Sequence, residues 1–213
     1  PSPFLDSELK KIKSSLNKKT IFSALKGVVP QTHLIVSEHL NKIYNVPFSK
    51  IGIITGPCHA EEVALEKLSY LTVACKNSEI GKFMKHSLET KFIKAKISND
   101  IKGVEYAAML KNVYALVVGI SHGLGYGDNF QSVLISNSLR EMKSFIKIIY
   151  KIKRDINDTE YLGDLLVTSY STFSRNRTLG NMLGKGYSLK AAISEMSMIC
   201  LLYTSPSPRD PWT

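Results

Sequence analysis

The fold is organised around residues 101–122, which read IKGVEYAAMLKNVYALVVGISH. A helix over this stretch has apolar residues on nearly all of its sides: Val104, Ala108, Leu110, Val113, Ala115, Leu116 and Val117. A helix at a protein surface has a single apolar stripe, whereas a helix that is apolar all round is buried. The pattern therefore predicts a long central helix, which the glycines at 123, 125 and 127 bring to an end.

Before this helix, short apolar runs alternate with helical patterns. The runs are rich in β-branched residues and predict strands at Ile21–Leu25, Ile51–Thr55, Leu71–Cys75 and Phe92–Ile97. Helical patterns lie between them at residues 31–44, 60–67 and 78–90. Strands that alternate with helices indicate an α/β layer, here with a mixed sheet.

From residue 101 to residue 199 the pattern is almost entirely helical. Asp128 is the expected N-cap of a helix at 129–147, and Ser188 is the expected N-cap of a helix at 189–199. Further helical elements are expected from about Tyr161 and at 175–183. The sequence therefore predicts an α/β domain at residues 1–100 and an all-α domain at residues 101–199.

The last residues, 200–213, differ in composition from the rest of the chain. Pro206, Pro208 and Pro211 fall within six residues and cannot continue a helix. We predict that this Ser- and Pro-rich stretch is a non-native tail, and we exclude it from the arguments on fold and function.

The net charge of +10 allows three interpretations. A basic chain can bind nucleic acid, it can attract small anionic ligands, or it can simply have a lysine-rich solvated surface. Most of the lysines are scattered, and the sequence has neither an aromatic-rich RNA-binding motif nor zinc-finger spacing. We therefore expect no nucleic-acid partner.

The cysteines and the apolar runs bear on location. The three cysteines, Cys58, Cys75 and Cys200, form no Cys-x-x-Cys pair, so we expect reduced thiols and no metal site. The longest uninterrupted apolar run, residues 114–120, is far shorter than the roughly 18 residues that cross a bilayer. No signal peptide is recognisable, and we expect a cytoplasmic protein without a membrane span.

Lys111 stands out because it lies in the middle of the apolar helix. Lysine is seldom buried without a partner, so Lys111 either extends its ammonium to the surface or places it in a dry cleft. In a cleft, burial lowers the pKa of the ammonium towards the range that is useful for proton transfer. The neighbouring Asn112 can offer an amide to a ligand or to the backbone.

Two further motifs are ambiguous when each is taken alone. Asp164, in Gly163-Asp164-Leu165, is either a helix N-cap or the carboxylate partner of Lys111. Ser174-Arg175-Asn176-Arg177 is either a basic surface turn or a phosphate site, because guanidinium groups beside the N–H groups of a helix N-terminus bind phosphate well.

The order of the motifs is specific. The chain has Lys26-Gly27, then Gly56-Pro57-Cys58-His59-Ala60-Glu61-Glu62, Lys111-Asn112, Gly123-Leu124-Gly125-Tyr126-Gly127-Asp128-Asn129, Gly163-Asp164-Leu165 and Ser174-Arg175-Asn176-Arg177. In this order they resemble the signature of the bacterial NAD(P)-dependent glycerol-3-phosphate dehydrogenase family, over roughly residues 1–199. The implied fold is a partial Rossmann-type dinucleotide-binding domain followed by a helical substrate-binding domain.

The resemblance implies roles for individual residues. Lys111 is the expected proton acceptor, with Asp164 as its catalytic partner, and Lys26 contacts both substrate and nicotinamide cofactor. The remaining expected substrate contacts are Gly56, Cys58, Ser174, Arg175 and Asn176, and the remaining expected cofactor contacts are Ala60 and Arg175. Members of the family usually have Ser or Thr in the place of Cys58. His59, Glu62 and His122 receive no role.

The implied reaction interconverts dihydroxyacetone phosphate and sn-glycerol 3-phosphate with NAD or NADP, for glycerophospholipid synthesis. The Gly-x-Gly-x-x-Gly turn with which the family begins is not found in this sequence, so a non-catalytic fragment is one alternative. A related β-hydroxyacid dehydrogenase is another, although its substrates have no phosphate for Arg175 to bind. The expected partner is a small phosphorylated substrate, and a homodimer is left open.

Overall fold

A mixed four-stranded sheet forms the first half of the protein. The computed structural model describes residues 2–196. The elements of this half are α1 (Leu5–Leu9), β1 (Ile21–Ser23), β2 (Val28–Val29), β3 (Leu34–Ile35), α2 (Val36–Tyr44), β4 (Ile51–Thr55), α3 (Ala60–Ala64), β5 (Ser69–Cys75), α4 (Ser78–Leu88) and β6 (Ile93–Ser98). The strand order is β1-β4-β5-β6, in which only the β4–β5 pair is antiparallel. The predicted mixed sheet and its four strands are confirmed, and β2 and β3 form a separate small hairpin.

The second half of the described chain is helical. Its elements are α5 (Ile101–Gly123), α6 (Asp128–Ile149), a single π-helical turn (Thr159–Gly163), α7 (Asp164–Tyr170), α8 (Arg175–Gly184) and α9 (Leu189–Glu195). The predicted class, α/β followed by all-α, is therefore confirmed. The predicted tail at 200–213 lies outside the described residues, and the predicted domain limits at 100 and 199 stay predictions.

Helix α5 is the central element, as its sequence predicts. Val104, Ala107 and Val118 on this helix belong to the main core, which also contains Ile51 and Ile53 of the sheet. By length and composition alone α5 could cross a membrane, but 61% of its most apolar window is buried inside the protein. Such burial is typical of a core helix.

Close packing of α5 against α8 depends on four glycines. Gly119 and Gly123 on α5 face Gly180 and Gly184 on α8. A Cβ atom at any of these positions would overlap backbone atoms of the opposite helix. The absence of side chains therefore lets the two backbones touch, and it brings the N-terminus of α8 close to the middle of α5.

Two predicted helix starts are wrong. The helix expected from residue 31 begins at Val36, because His33 has a left-handed backbone (φ 54°) that turns β2 into β3. The first turn of α2 is instead stabilised by a distant carboxylate, since the backbone N–H of Ser37 donates to Glu105 at 3.2 Å. Asp128 is the first residue of α6 rather than its N-cap, which is Gly127.

Candidate functional site

A cleft of about 480 Å³ opens where the sheet meets the helical half. Its walls come from the segments that follow β1 and β4, from the middle of α5, and from α7 and the start of α8. All nine residues that the sequence predicts for the site line this cleft: Lys26, Gly56, Cys58, Ala60, Lys111, Asp164, Ser174, Arg175 and Asn176. The structure thus brings the predicted residues together, while their roles stay predictions.

The floor of the cleft is a buried ion pair between Lys111 and Asp164. The side chain of Lys111 is 7% exposed and that of Asp164 is 2% exposed, and the ammonium contacts Oδ1 of the carboxylate. The other carboxylate oxygen, Oδ2, accepts a hydrogen bond from Thr55 Oγ1 at 3.3 Å and lies 3.9 Å from Lys26 Nζ. Lys111 is therefore paired inside the protein and does not extend to the surface.

Asp164 reaches Lys111 because it is the first residue of α7 and has helical backbone angles (φ −70°, ψ −32°). Its carboxylate binds side chains of other elements, so its interpretation as an N-cap is wrong. The π-helical turn before it is anchored on both sides. Tyr161 Oη donates to Asp100 Oδ2 at 2.6 Å, and Lys96 Nζ lies 2.6 Å from Glu160 Oε2.

Burial disfavours the charged form of both side chains, so it shifts their pKa values in opposite directions. Burial lowers the pKa of Lys111 to about 7, which Asp164 opposes and Lys26 reinforces. Burial raises the pKa of Asp164, but the neighbouring Lys111 and Lys26 outweigh it and hold the pKa below its usual value. The site therefore combines a stable carboxylate with an ammonium that can lose its proton near neutral pH.

The N-terminus of α8 forms another wall. Ser174 is its N-cap, and its Oγ accepts a hydrogen bond from the backbone N–H of Arg177 at 3.4 Å. Arg175 and Asn176 occupy the first turn, where the positive end of the helix dipole adds to the guanidinium charge. Such an arrangement favours an anionic ligand.

The opposite wall follows β1 and β4. Gly56 has a positive φ of 127°, and a Cβ atom there would lie 2.7 Å from the carbonyl oxygen of Tyr70, so the turn requires glycine. Cys58 is half-buried, and burial raises the pKa of its thiol although Ser69 and Lys26 oppose the shift. Because β1 and β4 are parallel, Lys26 and Gly56 lie at the same edge of the sheet.

Sequence reasoning missed several residues of the cleft. The cleft is also lined by His59, Glu61, Thr168 and Phe173. Thr55 donates a hydrogen bond to the carboxylate of Asp164. His59 and Glu61 lie inside the Gly56–Glu62 motif, which was a signal for their position although not for their orientation. Thr55 ends a predicted strand, and no local pattern marked it.

Two other groups lie apart from this chemistry. His122 pairs with Gln131 Nε2 through its Nδ1 atom at 3.2 Å and does not line the cleft. Within residues 2–196, no cluster of three or more His, Cys, Asp or Glu residues could hold a metal ion.

Comparison with known proteins gives two family matches. A family model described as the N-terminus of NAD-dependent glycerol-3-phosphate dehydrogenase matches residues 1–81, and one described as its C-terminus matches residues 100–202. Similar curated proteins are named glycerol-3-phosphate dehydrogenase [NAD(P)+]. The protein from Oceanobacillus iheyensis is 36% identical over 193 residues, which are 91% of this chain and 56% of that protein. The protein from Exiguobacterium sp. is 34% identical over 181 residues, which are 84% of this chain and 53% of that protein.

Solved structures agree with the fold. The crystal structure of glycerol-3-phosphate dehydrogenase from Coxiella burnetii has a TM-score of 0.84 and 27% identity, and the match covers 95% of this chain and 61% of that one. The structure of DsGPDH from Dunaliella salina has a TM-score of 0.78 and 23% identity, and the match covers 86% of this chain and 33% of that one. At this identity it supports the fold alone. The chain spans little more than half the length of the curated relatives it matches. Since models of both parts of one family match it in order, the chain belongs to the NAD-dependent glycerol-3-phosphate dehydrogenase family.

Proposed function

We propose that this chain provides the substrate-binding and proton-transfer site of an NAD(P)-dependent glycerol-3-phosphate dehydrogenase. Such an enzyme interconverts dihydroxyacetone phosphate and sn-glycerol 3-phosphate for glycerophospholipid synthesis. The observation that carries the proposal is the buried pair of Lys111 and Asp164 at the floor of a cleft whose wall is the N-terminus of α8. Lys111 at the floor can exchange a proton with a substrate, and the start of α8 can hold the phosphate of that substrate.

The phosphate is proposed to bind at the start of α8. Arg175 supplies a guanidinium that can bind two phosphate oxygens at once, and Asn176 supplies an amide in the same turn. The positive end of the α8 dipole also favours the negative charge of a phosphate. This wall favours a phosphorylated substrate over a plain hydroxyacid.

Lys111 is proposed to move the proton of the reaction. In the reductive direction its ammonium donates a proton to the C2 oxygen while C2 becomes an alcohol carbon. In the oxidative direction the neutral amine takes the proton back. A pKa lowered by burial allows both forms near neutral pH.

Asp164 and Lys26 are proposed to orient Lys111 and to stabilise the negative charge that develops on the C2 oxygen. The carboxylate of Asp164 orients the ammonium of Lys111 through the bond to Oδ1. Lys26, 3.9 Å from Oδ2 of the same carboxylate, adds a positive charge where the C2 oxygen develops a negative one. Gly56 and Cys58 complete the substrate wall.

The residues present fit the nicotinamide end of a dinucleotide cofactor. The cleft lies beyond the carboxyl ends of the parallel strands β1 and β4, the position in which open α/β sheets bind ligands. Lys26, Ala60 and Arg175 would hold that end. The cofactor, NAD(H) or NADP(H), supplies the hydride chemistry when bound.

Location and assembly are part of the same proposal. The free thiols Cys58 and Cys75 fit a reducing cytoplasm. A homodimer is also part of the proposal, which light scattering of the purified protein would test. A monomer at micromolar concentration would contradict that part.

The test of the activity is NADH and NADPH oxidation with dihydroxyacetone phosphate. Two proteins are compared: this chain, and this chain joined to those segments of the Oceanobacillus iheyensis relative that its match leaves uncovered, here called the completed enzyme. We expect turnover by the completed enzyme. If neither protein turns over with either cofactor, while the completed enzyme oxidises a plain β-hydroxyacid, the substrate assignment is wrong.

A further inference from the structure

His59 lines the cleft, and hydrogen bonds hold its backbone in place. It precedes α3, and its carbonyl oxygen accepts hydrogen bonds from the N–H groups of Glu62 and Val63, each at 3.1 Å. Within residues 2–196, the imidazole itself makes no hydrogen bond. The ring therefore stands at the cleft wall in a defined place with its nitrogen atoms available to a ligand.

The ring of His59 lies beside the phosphate-binding wall. Its centroid is 6.4 Å from that of Phe173, and the two rings are tilted by 50°. Phe173 directly precedes Ser174, the N-cap of α8, so the contact ties the segment after β4 to the first turn of α8. A phosphate bound by Arg175 and Asn176 would have His59 as a neighbour from the opposite wall.

The charges around His59 keep it neutral in the ligand-free cleft. Burial lowers the pKa of the imidazole, and the ammonium of Lys111 on α5 lowers it further. Glu61 and Glu62 on α3 and Asp164 on α7 act in the opposite direction without overcoming these effects. Arg175 on α8 and Lys26 after β1 are the other cations at this cleft. A neutral imidazole has one N–H donor and one acceptor nitrogen.

We propose that His59 is a further substrate-binding residue, whose imidazole donates a hydrogen bond to the phosphate held at the start of α8. The inference rests on the proposed function and extends it to a residue that the family resemblance leaves without a role. It makes the phosphate site two-sided: α8 binds from one wall and His59 from the other. Phe173, which directly precedes the N-cap of α8, packs against the ring.

A bound dianion changes the protonation of His59. A negative charge within about 4–6 Å favours the imidazolium form and raises its pKa by about one unit or more. Binding of phosphate is then linked to uptake of a proton by His59. A histidine far from the bound anion would not show this link, because the charge of the anion would be screened.

Histidine NMR of this chain tests the proposal directly. The Cε1–H signal of His59 is identified as the one that is lost in His59→Gln, and its titration is followed with and without saturating inorganic phosphate. Sulfate serves as a second probe, because its charge is constant between about pH 5 and 8, where imidazole titrates. We expect a midpoint below 6.5 without the anion and a rise of about one unit with either anion. Arg175→Ala should abolish the rise.

Thermal stabilisation by the same anions separates two kinds of failure. If phosphate raises the midpoint of thermal unfolding and Arg175→Ala removes this effect, but the His59 titration does not move, the inference is wrong and the proposed phosphate site stands. If phosphate neither stabilises the protein nor moves any histidine signal, both the inference and the proposed phosphate site fail.

In the completed enzyme, His59→Gln should raise KM for dihydroxyacetone phosphate about tenfold with little change in kcat, as expected for loss of one hydrogen bond to a charged group. An unchanged KM would contradict the inference, and His86→Gln is the matched control.

Discussion

Lys111 and Asp164 lie 53 residues apart in the sequence and form an ion pair that is almost completely buried. The lysine comes from the middle of α5, and the aspartate comes from the first turn of α7. Without Asp164 the ammonium of Lys111 would be buried with no carboxylate beside it, and without Lys111 the carboxylate would keep only the more distant Lys26, 3.9 Å away, as a cation. The pair therefore links the stability of the helical half to the chemistry proposed for the cleft.

The first prediction separates the contribution of Lys111 to stability from its contribution to catalysis. Lys111→Met should lower kcat of the completed enzyme by a factor of about 10² to 10⁴, as expected for loss of a general acid–base group. It should also lower the free energy of unfolding by about 3 kcal/mol, because Asp164 loses its closest cation. Turnover and urea unfolding would be measured on the same preparations.

A double variant provides the control for that experiment. Lys111→Met combined with Asp164→Leu removes both charges and should recover most of the lost stability, because an apolar pair replaces the buried ions. Turnover should stay as low as in the single variant. Near-normal turnover in either variant would contradict the proton-transfer role of Lys111.

The second prediction concerns pH. Burial lowers the pKa of Lys111 to about 7, so the ammonium is present below this pH and the neutral amine above it. Reduction needs the ammonium, and kcat/KM for dihydroxyacetone phosphate should fall as pH rises through about 7. Oxidation needs the amine, and kcat/KM for sn-glycerol 3-phosphate should fall as pH drops through the same range. Profiles that bend in the same direction for both reactions would be inconsistent with a single proton-exchanging lysine.

The third prediction concerns the phosphate. Arg175→Ala should raise KM for dihydroxyacetone phosphate about 10- to 100-fold, since a charge-assisted hydrogen bond contributes roughly 1.5–3 kcal/mol. The effect on kcat should be smaller, because binding to the phosphate is similar in the ground and transition states. Arg140→Ala, which removes an exposed arginine of α6, is the matched control and should leave KM unchanged. Equal losses in kcat and in kcat/KM would instead assign Arg175 to the transition state.

Much of the fold was predictable because its signals are local. The strands at Ile51–Thr55 and Leu71–Cys75 and the helix from Ile101 are marked by apolar patterns that need no tertiary information. The start of α2 was not predictable, because the group that stabilises it is Glu105, 68 residues away along the chain. The limits of local patterns are therefore reached where one element is capped by another.

The candidate site shows the same limit. Motif order was sufficient to select the residues around Lys111 and Asp164, but the Asp164 carboxylate had two interpretations until its contacts were known. Thr55 was missed because a threonine at the end of a strand has no distinctive spacing, and only the fold brings its hydroxyl to Asp164. The glycines of α5 and α8 were missed for a related reason, since a close helix crossing depends on both helices at once.

The last prediction concerns these glycines and compares one substitution at two sites. Gly180→Ala on α8 should lower the free energy of unfolding by about 1–3 kcal/mol or more, because its Cβ would overlap the backbone of α5 near Leu116 and force the helices apart. Gly81→Ala on α4 places a Cβ in ordinary contact, 3.5 Å from Ile97 Cγ2. It should raise the free energy of unfolding by about 0.5–1 kcal/mol, because alanine favours a helix over glycine.

Both glycines are buried and helical, so helix propensity alone would move both variants in the same direction. Urea unfolding decides between the two explanations: opposite signs support backbone contact between α5 and α8, whereas stabilisation by both substitutions would show that this contact is not required. Separation of the helices should also move Arg175 away from Lys111, so Gly180→Ala should weaken phosphate binding while Gly81→Ala leaves it unchanged.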